Sequence, residues 1–311
     1  MTPVIEIRGL CKEFRVGFWL RRTLVLHPLD LTVSAGEIFG YLGPNGAGKT
    51  TTLKLLTGLI LPTAGSARLL GQDLAEVSSK RNIGFLPENP YFYEYLTGRE
   101  FLDLCGRLFG LQAPLRRERI ASLLRLTELE AGADRQLRKY SKGMLQRLGL
   151  AQALINDPQL VILDEPMSGL DPLGRKAMRD TILHLKGEGR TIFFSSHILS
   201  DVEMLCDRVG ILVAGRLRDV GRLDTILTTR IESIELTLEH APPVLLAALG
   251  PLALGPALHQ SGEVLVRLPD EAQLDRALRL SLDAGARVVS VVPQRVTLEE
   301  HFIREVQGAT P

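Results

Sequence analysis

Residues Gly43-Pro44-Asn45-Gly46-Ala47-Gly48-Lys49-Thr50 constrain this chain more than any others, because two glycines with four residues between them are followed directly by Lys and Thr. The run Ile38 to Leu42 ahead of them reads as a short buried strand, and Thr51 to Leu56 after them as a helix. A glycine-rich turn between a strand and a helix lets successive N–H groups converge on an anion, and the helix N-terminus adds about half a positive charge there. The pattern therefore predicts a nucleoside triphosphate site. Lys49 is placed to reach the β and γ phosphates, and the Thr50 hydroxyl to sit on a magnesium ion.

Net charge is only +1, from 37 basic and 36 acidic residues, so the chain as a whole offers no electrostatic footprint for nucleic acid. The balance is uneven: residues 221–311 hold eight Arg, no Lys and twelve acidic residues, leaving −4 there against +5 before it. That shift predicts a domain boundary near Gly221, which suits the two domains expected of 311 residues. Cys11, Cys105 and Cys206 lie far apart with no metal-binding spacing, which fits a reducing cytoplasm. The N-terminal Met1 to Leu10 alternates like a strand and lacks the layout of a signal peptide, so no secretion is expected. Ala241 to Leu258 is an uncharged run of membrane-spanning length, but Pro242, Pro243, Pro251 and Pro256 interrupt it, so a short helix and a loop are expected instead.

Val4 to Ile7 and Leu29 to Val33 alternate with the period of half-buried strands, so an antiparallel β region is expected before the glycine-rich loop. Beyond it, apolar runs at Ile83 to Leu86, Leu160 to Leu163, Thr191 to Ser195 and Val209 to Val213 are separated by helical periodicity, which predicts an α/β core with a largely parallel sheet. Helical segments at 98–109 and 115–129 point to a separate helical lobe spanning about residues 89–157. The tail alternates strands (Ile234 to Leu238, Val264 to Leu268, Val288 to Val292) with helices, the last from Leu298, as a small α+β domain would.

The run Leu160 to Leu163 delivers Asp164 and Glu165 at its end, where open α/β sheets bind ligands. Asp164 suits a magnesium ion held through water, and Glu165 suits polarising an attacking water. Some twenty residues earlier, Ser141 is a good N-cap for a helix running to about Ile155, whose end would attract a phosphate.

With Tyr140-Ser141-Lys142-Gly143-Met144 placed between the glycine-rich loop and Asp164, the chain resembles an ABC transporter ATP-binding subunit of the drug-export type over residues 4–228. Ser141 and Gly143 match the Ser and second Gly of that family's Leu-Ser-Gly-Gly-Gln signature, while Lys142 and Met144 replace its first Gly and its Gln. The resemblance implies an ABC cassette in residues 1–220 with an accessory C-terminal domain in 221–311. ATP and magnesium are the implied ligands. Gly43, Pro44, Asn45, Gly46, Ala47, Gly48, Lys49, Thr50 and Thr51 would cradle the phosphates, and Phe14 would stack on adenine, with Phe18 and Trp19 as competitors. Thr50, Asp164 and Glu88 would face the metal, Glu88 standing where the family has a glutamine. Glu165 and His197 are the implied catalytic pair, His197 contacting the γ phosphate. Ser141, Lys142 and Gly143 would meet the opposing ATP in a head-to-tail homodimer, with Asp171 in the loop beside it.

The four aromatics in Asn89 to Leu96 would face separate transmembrane permease subunits, and the chain would work on the cytoplasmic face of the cell membrane. The basic stretch Arg116-Arg117-Glu118-Arg119 is expected to be a solvated helix face. The alternative is a soluble ABC ATPase acting on the ribosome or nucleic acid. It is disfavoured by the single cassette, by the 92 residues between Gly48 and Ser141 and by the neutral charge.

Overall fold

The computed structural model describes residues 3–17, 21–226, 231–260, 262–295 and 298–307. Two compact units emerge: Met1–Leu223 with Arg304–Pro311, and Asp224–Ile303.

The first unit opens with strands β1 (Pro3–Val16), β2 (Arg21–Ser34) and β3 (Ile38–Leu42), then α1 (Lys49–Leu56), β4 (Ala64–Leu69), β5 (Gln72–Asp73) and β6 (Ile83–Leu86). Helices α2 (Gly98–Leu108), α3 (Ala113–Leu126) and α4 (Lys142–Leu154) follow. The chain then alternates through β7 (Leu160–Asp164), α5 (Pro172–Gly187), β8 (Thr191–Ser196), α6 (Leu199–Leu205), β9 (Arg208–Val213) and β10 (Arg216–Arg222).

The central sheet has the order β10-β9-β3-β8-β7-β6, parallel except for β10. β3 and β7 are buried at every residue, as strands covered on both faces must be, so they read as unbroken apolar runs. Phe39 and Phe193 stack across neighbouring strands with centroids 5.5 Å apart. Because these strands run parallel, Leu42, Asp164 and Ser196 all end on one edge of the sheet, and the site is built there.

β1, β2, β4 and β5 form the antiparallel sheet. Its hairpin is much longer than the alternation at Val4 to Ile7 and Leu29 to Val33 predicts, because register shifts around Leu10 and Lys12 break the two-residue period. β4 escapes sequence reading because Ala64, Gly65 and Ser66 have little strand preference and only Ala67 and Leu69 are buried.

In the helical lobe, Thr97 and Glu100 form a reciprocal capping box that starts α2. Gly84 on β6 lets α4 pack close, since a Cβ there would overlap the Ala153 carbonyl. The basic stretch on α3 is only partly a solvated face: Arg116 is held by Asp103 at 2.5 Å and Arg119 reaches Asp157 at 3.4 Å.

After α7 (Leu223–Ile226), the second unit contains β11 (Ile231–Glu239), α8 (Pro243–Leu249), β12 (Leu258–Gln260), β13 (Glu263–Leu268), α9 (Glu271–Asp283) and β14 (Arg287–Arg295); α10 (Leu298–Gln307) ends the described chain. Its antiparallel sheet has the order β12-β13-β11-β14. Ile234, Leu236, Leu238, Val264, Val266 and Leu268 pack with Leu245, Leu249 and Ala277 into a core of its own. The uncharged run from Ala241 becomes α8 followed by turns, as its prolines dictate, and no helix among the described residues is long and apolar enough to cross a membrane.

Candidate active site

The loop between β3 and α1 curls as its glycines permit. Gly48 caps α1 at φ 106°, a left-handed conformation that a side chain would strain. Gly43 faces the Leu212 carbonyl so closely that a Cβ would collide with it. Lys49 is 6% exposed, and its Nζ donates to the Gly43 carbonyl at 2.6 Å. The same ammonium pairs with Glu165 Oε1 at 3.3 Å. Carbonyl and carboxylate together compensate a charge that burial alone would penalise.

Asp164 ends β7 with one carboxylate oxygen doubly engaged: Oδ1 accepts from Ser195 Oγ at 2.7 Å and from Thr50 Oγ1 at 3.2 Å. Burial raises the Asp164 carboxyl above the ordinary carboxylate value, and the hydrogen bonds from Ser195 and Thr50 oppose that rise. Ser195 Oγ also accepts the Glu165 N–H at 3.1 Å, tying both acids to β8. Glu165 turns out of the strand at φ 47°, and its Oε2 meets His197 Nδ1 at 2.8 Å. The imidazole is thus oriented by the acid that it accompanies.

Lys49, Glu165 and His197 face a cleft of about 590 Å³ lined by Pro44 through Thr51 together with Val25, Glu88, Glu165, Ser168 and His197, whereas Asp164, 1% exposed, is not among the lining residues and meets the cleft only through its bond from Thr50. Lys49 and the N-terminus of α1 favour a polyanion in this space. Thr50 and Asp164 offer hard oxygen donors, which fit magnesium. Among the described residues no three acidic, His or Cys side chains gather as a metal cage, so such an ion would draw most of its shell from phosphate oxygens and water.

Phe14 is not among the cleft's lining residues; the Lys12 ammonium lies 5.0 Å from its ring centroid. Phe18 and Trp19 lie outside the described residues. Val25 on β2 lines the cleft instead, a position that no sequence motif marks. Ser195 was equally hidden: it stands beside Asp164 through the parallel register of β7 and β8, which a single sequence does not display. Glu88 is exposed and borders the cleft. Of the aromatics that follow it, Tyr91, Tyr93 and Tyr95 are exposed, whereas Phe92 turns inward and meets Phe101 edge-on at 5.0 Å.

Ser141, Lys142, Gly143 and Asp171 gather elsewhere, around a second cleft of about 530 Å³ that shares no lining residue with the first. Ser141 Oγ accepts the Met144 N–H at 3.3 Å, capping α4, and Asp171 Oδ1 accepts the Gly174 N–H at 3.0 Å, capping α5. Two helix N-termini therefore open into one space.

Residues 26–168 match the family described as ABC transporter. An uncharacterized ABC transporter ATP-binding protein of Nostoc sp. is 48% identical over 310 residues, covering 98% of this chain and 91% of that one. The bacitracin transport ATP-binding protein of Bacillus licheniformis is 35% identical over 288 residues, covering 91% and 92%. Among solved structures, a dimeric ATP-binding cassette in a post-hydrolysis state with ADP and Pi aligns over 70% of this chain and 98% of its own, with TM-score 0.65 and 23% identity.

Proposed function

The chain belongs to the ABC transporter family of ATP-binding proteins, and on that premise we propose how its two clefts divide the work of an export ATPase. It binds ATP and hydrolyses it to power transport. In our reading, the loop Gly43 to Thr51 holds the phosphates, with Lys49 passing from Glu165 to the terminal phosphates. Glu165 accepts a proton from the attacking water, and His197 fixes the carboxylate's direction while facing the γ phosphate. Magnesium, bound through Thr50 and Asp164 with Glu88 nearby, would neutralise charge developing on the phosphates.

The second cleft then receives the nucleotide of another copy. Two helix N-termini suit an anion, and no residue there is shared with the first cleft, so one chain carries two halves of different sites. Head-to-tail homodimerisation completes both. Closure can drive a membrane partner only because ATP favours the closed state. That partner is a pair of separate permease subunits docked near Tyr91 and Tyr93 on the cytoplasmic face of the membrane. Export as the direction is supported by another relative, the Nod factor export ATP-binding protein I of Rhizobium sp., 36% identical over 304 residues. None of the described residues of Asp224–Ile303 lines either cleft, and we assign this unit an accessory role outside the chemistry. The transport names of the relatives favour this reading over a soluble ATPase acting on the ribosome or nucleic acid.

The observation that carries the reading is Glu165, held between Lys49 and His197 at the mouth of the phosphate loop. Glu165→Gln preserves size while removing the base, so ATP turnover falls about 10²-fold or more while ATP still binds and gathers the chains into dimers. Turnover at the wild-type rate overturns the role given to Glu165.

A further inference from the structure

Asp201 is a buried carboxylate that lines neither cleft. It stands in the first turn of α6, four residues after His197, and is only 3% exposed. An acid three residues after a helix N-cap commonly bonds the N–H of the cap, but here the Ile198 N–H is taken by Ser196 Oγ at 2.9 Å. Asp201 Oδ1 instead accepts from Arg179 Nη1 on α5 at 3.3 Å, and Oδ2 is buried with no partner among the described residues. One long bond is meagre compensation for taking a carboxylate out of water, so folding alone gives little reason to keep the charge. Its place in the chain supplies another reason. The His197 side chain is 43% exposed and takes its direction from Glu165 Oε2 at 2.8 Å, so the position of its backbone rests on what flanks it. Before it, Ser196 is held in β8; after it, the turn at Ile198 leads straight into α6. Val202 and Leu205 bury one side of α6, but apolar packing is non-directional. The directed contact from Asp201 to Arg179 fixes where along that packing α6 stops.

We infer that Arg179 and Asp201 are positioning residues for His197: their ion pair registers α6 against α5 and so sets the imidazole where it meets Glu165 and the γ phosphate. Neither residue touches the nucleotide, and each acts through the histidine. This rests on the role given to His197.

The test measures kcat and KM for ATP by phosphate release from the full chain, with ATP affinity and urea denaturation verifying that each variant is folded. Asp201→Asn keeps shape and one acceptor but loses the charge. Its kcat should fall about 10-fold while KM and ATP affinity stay within about twofold, because only the placement of a reacting group has changed. Arg179→Gln should match it, and the two changes together should lose no more than either alone. Arg179→Lys should keep most of kcat, since a single bond needs a single donor. Asp201→Asn leaves no unpaired buried charge, so the test stands even if Arg179→Gln unfolds. Added to His197→Ala, Asp201→Asn should lower the residual turnover no further. Wild-type kcat in Asp201→Asn overturns the inference, as does an equal fold-loss in the His197→Ala background, which would place the action of the pair elsewhere. Wild-type turnover in His197→Ala alone removes the role given to His197, and the inference with it.

Discussion

Ser195 Oγ donates to Asp164 Oδ1 at 2.7 Å while accepting the N–H of the next residue, Glu165, at 3.1 Å. One hydroxyl on β8 therefore fixes both acids at the end of β7. Ser195→Ala leaves a buried N–H without its acceptor and Asp164 with one donor fewer. We expect a loss of about 1–3 kcal/mol in unfolding free energy, read by urea denaturation, and slower ATP turnover at saturating ATP. Unchanged stability and turnover would show that neither acid depends on this hydroxyl.

Burial raises the Asp164 carboxyl above its ordinary value. The folded chain thus takes up this proton at higher pH than the unfolded chain, so its contribution to stability falls as pH rises from the ordinary carboxylate value through the raised one. Asp164→Asn keeps an oxygen for Thr50 and Ser195 but carries no charge. The ligand-free variant should melt higher than wild type near pH 7, with the difference shrinking toward pH 4, while hydrolysis is lost. A variant that melts lower than wild type throughout this range contradicts the assignment.

Ser141→Arg places bulk and charge at the capped end of α4, where the opposing nucleotide would approach, without touching the first cleft. Equilibrium binding should show ATP affinity retained within a few-fold. Light scattering should show ATP-dependent dimers lost. Dimers forming normally would refute the role given to the second cleft.

Tyr91 and Tyr93 are 97% and 54% exposed, more than packing within the lobe would leave them. Changing both to Ser should weaken copurification with the membrane subunit by about 10-fold or more, because interface energy concentrates in a few aromatics. ATPase activity of the isolated chain should stay within about twofold. Undiminished copurification would place the docking surface elsewhere.

Contiguity decided what the sequence could reveal. The loop at Gly43 to Thr50, the acids after β7 and the cap at Ser141 are each local patterns whose chemistry can be read along the chain. Val25 and Ser195 enter the site laterally, through hairpin geometry and strand register, and their neighbours in sequence carry no trace of it. Phe14 shows the converse: an aromatic near the expected place, on a strand whose register shifts no alternation announces. Phe92 among exposed tyrosines shows that composition marks a segment but not the direction of each side chain.

The positive φ of 47° at Glu165 has a consequence for the fold's tolerance of change. Adjacent residues of a regular strand face opposite sides, so had β7 simply continued, Asp164 could not bond Thr50 while Glu165 pairs with the neighbouring Lys49. The left-handed step, taken just before Pro166, disfavours the backbone by about 1–3 kcal/mol and gives each acid its own set of neighbours. Asn or Gly at this position would relax the chain while removing the carboxylate. Backbone ease and the carboxylate are therefore in direct conflict at this one position, so any substitution that steadies the fold there does so at the expense of turnover.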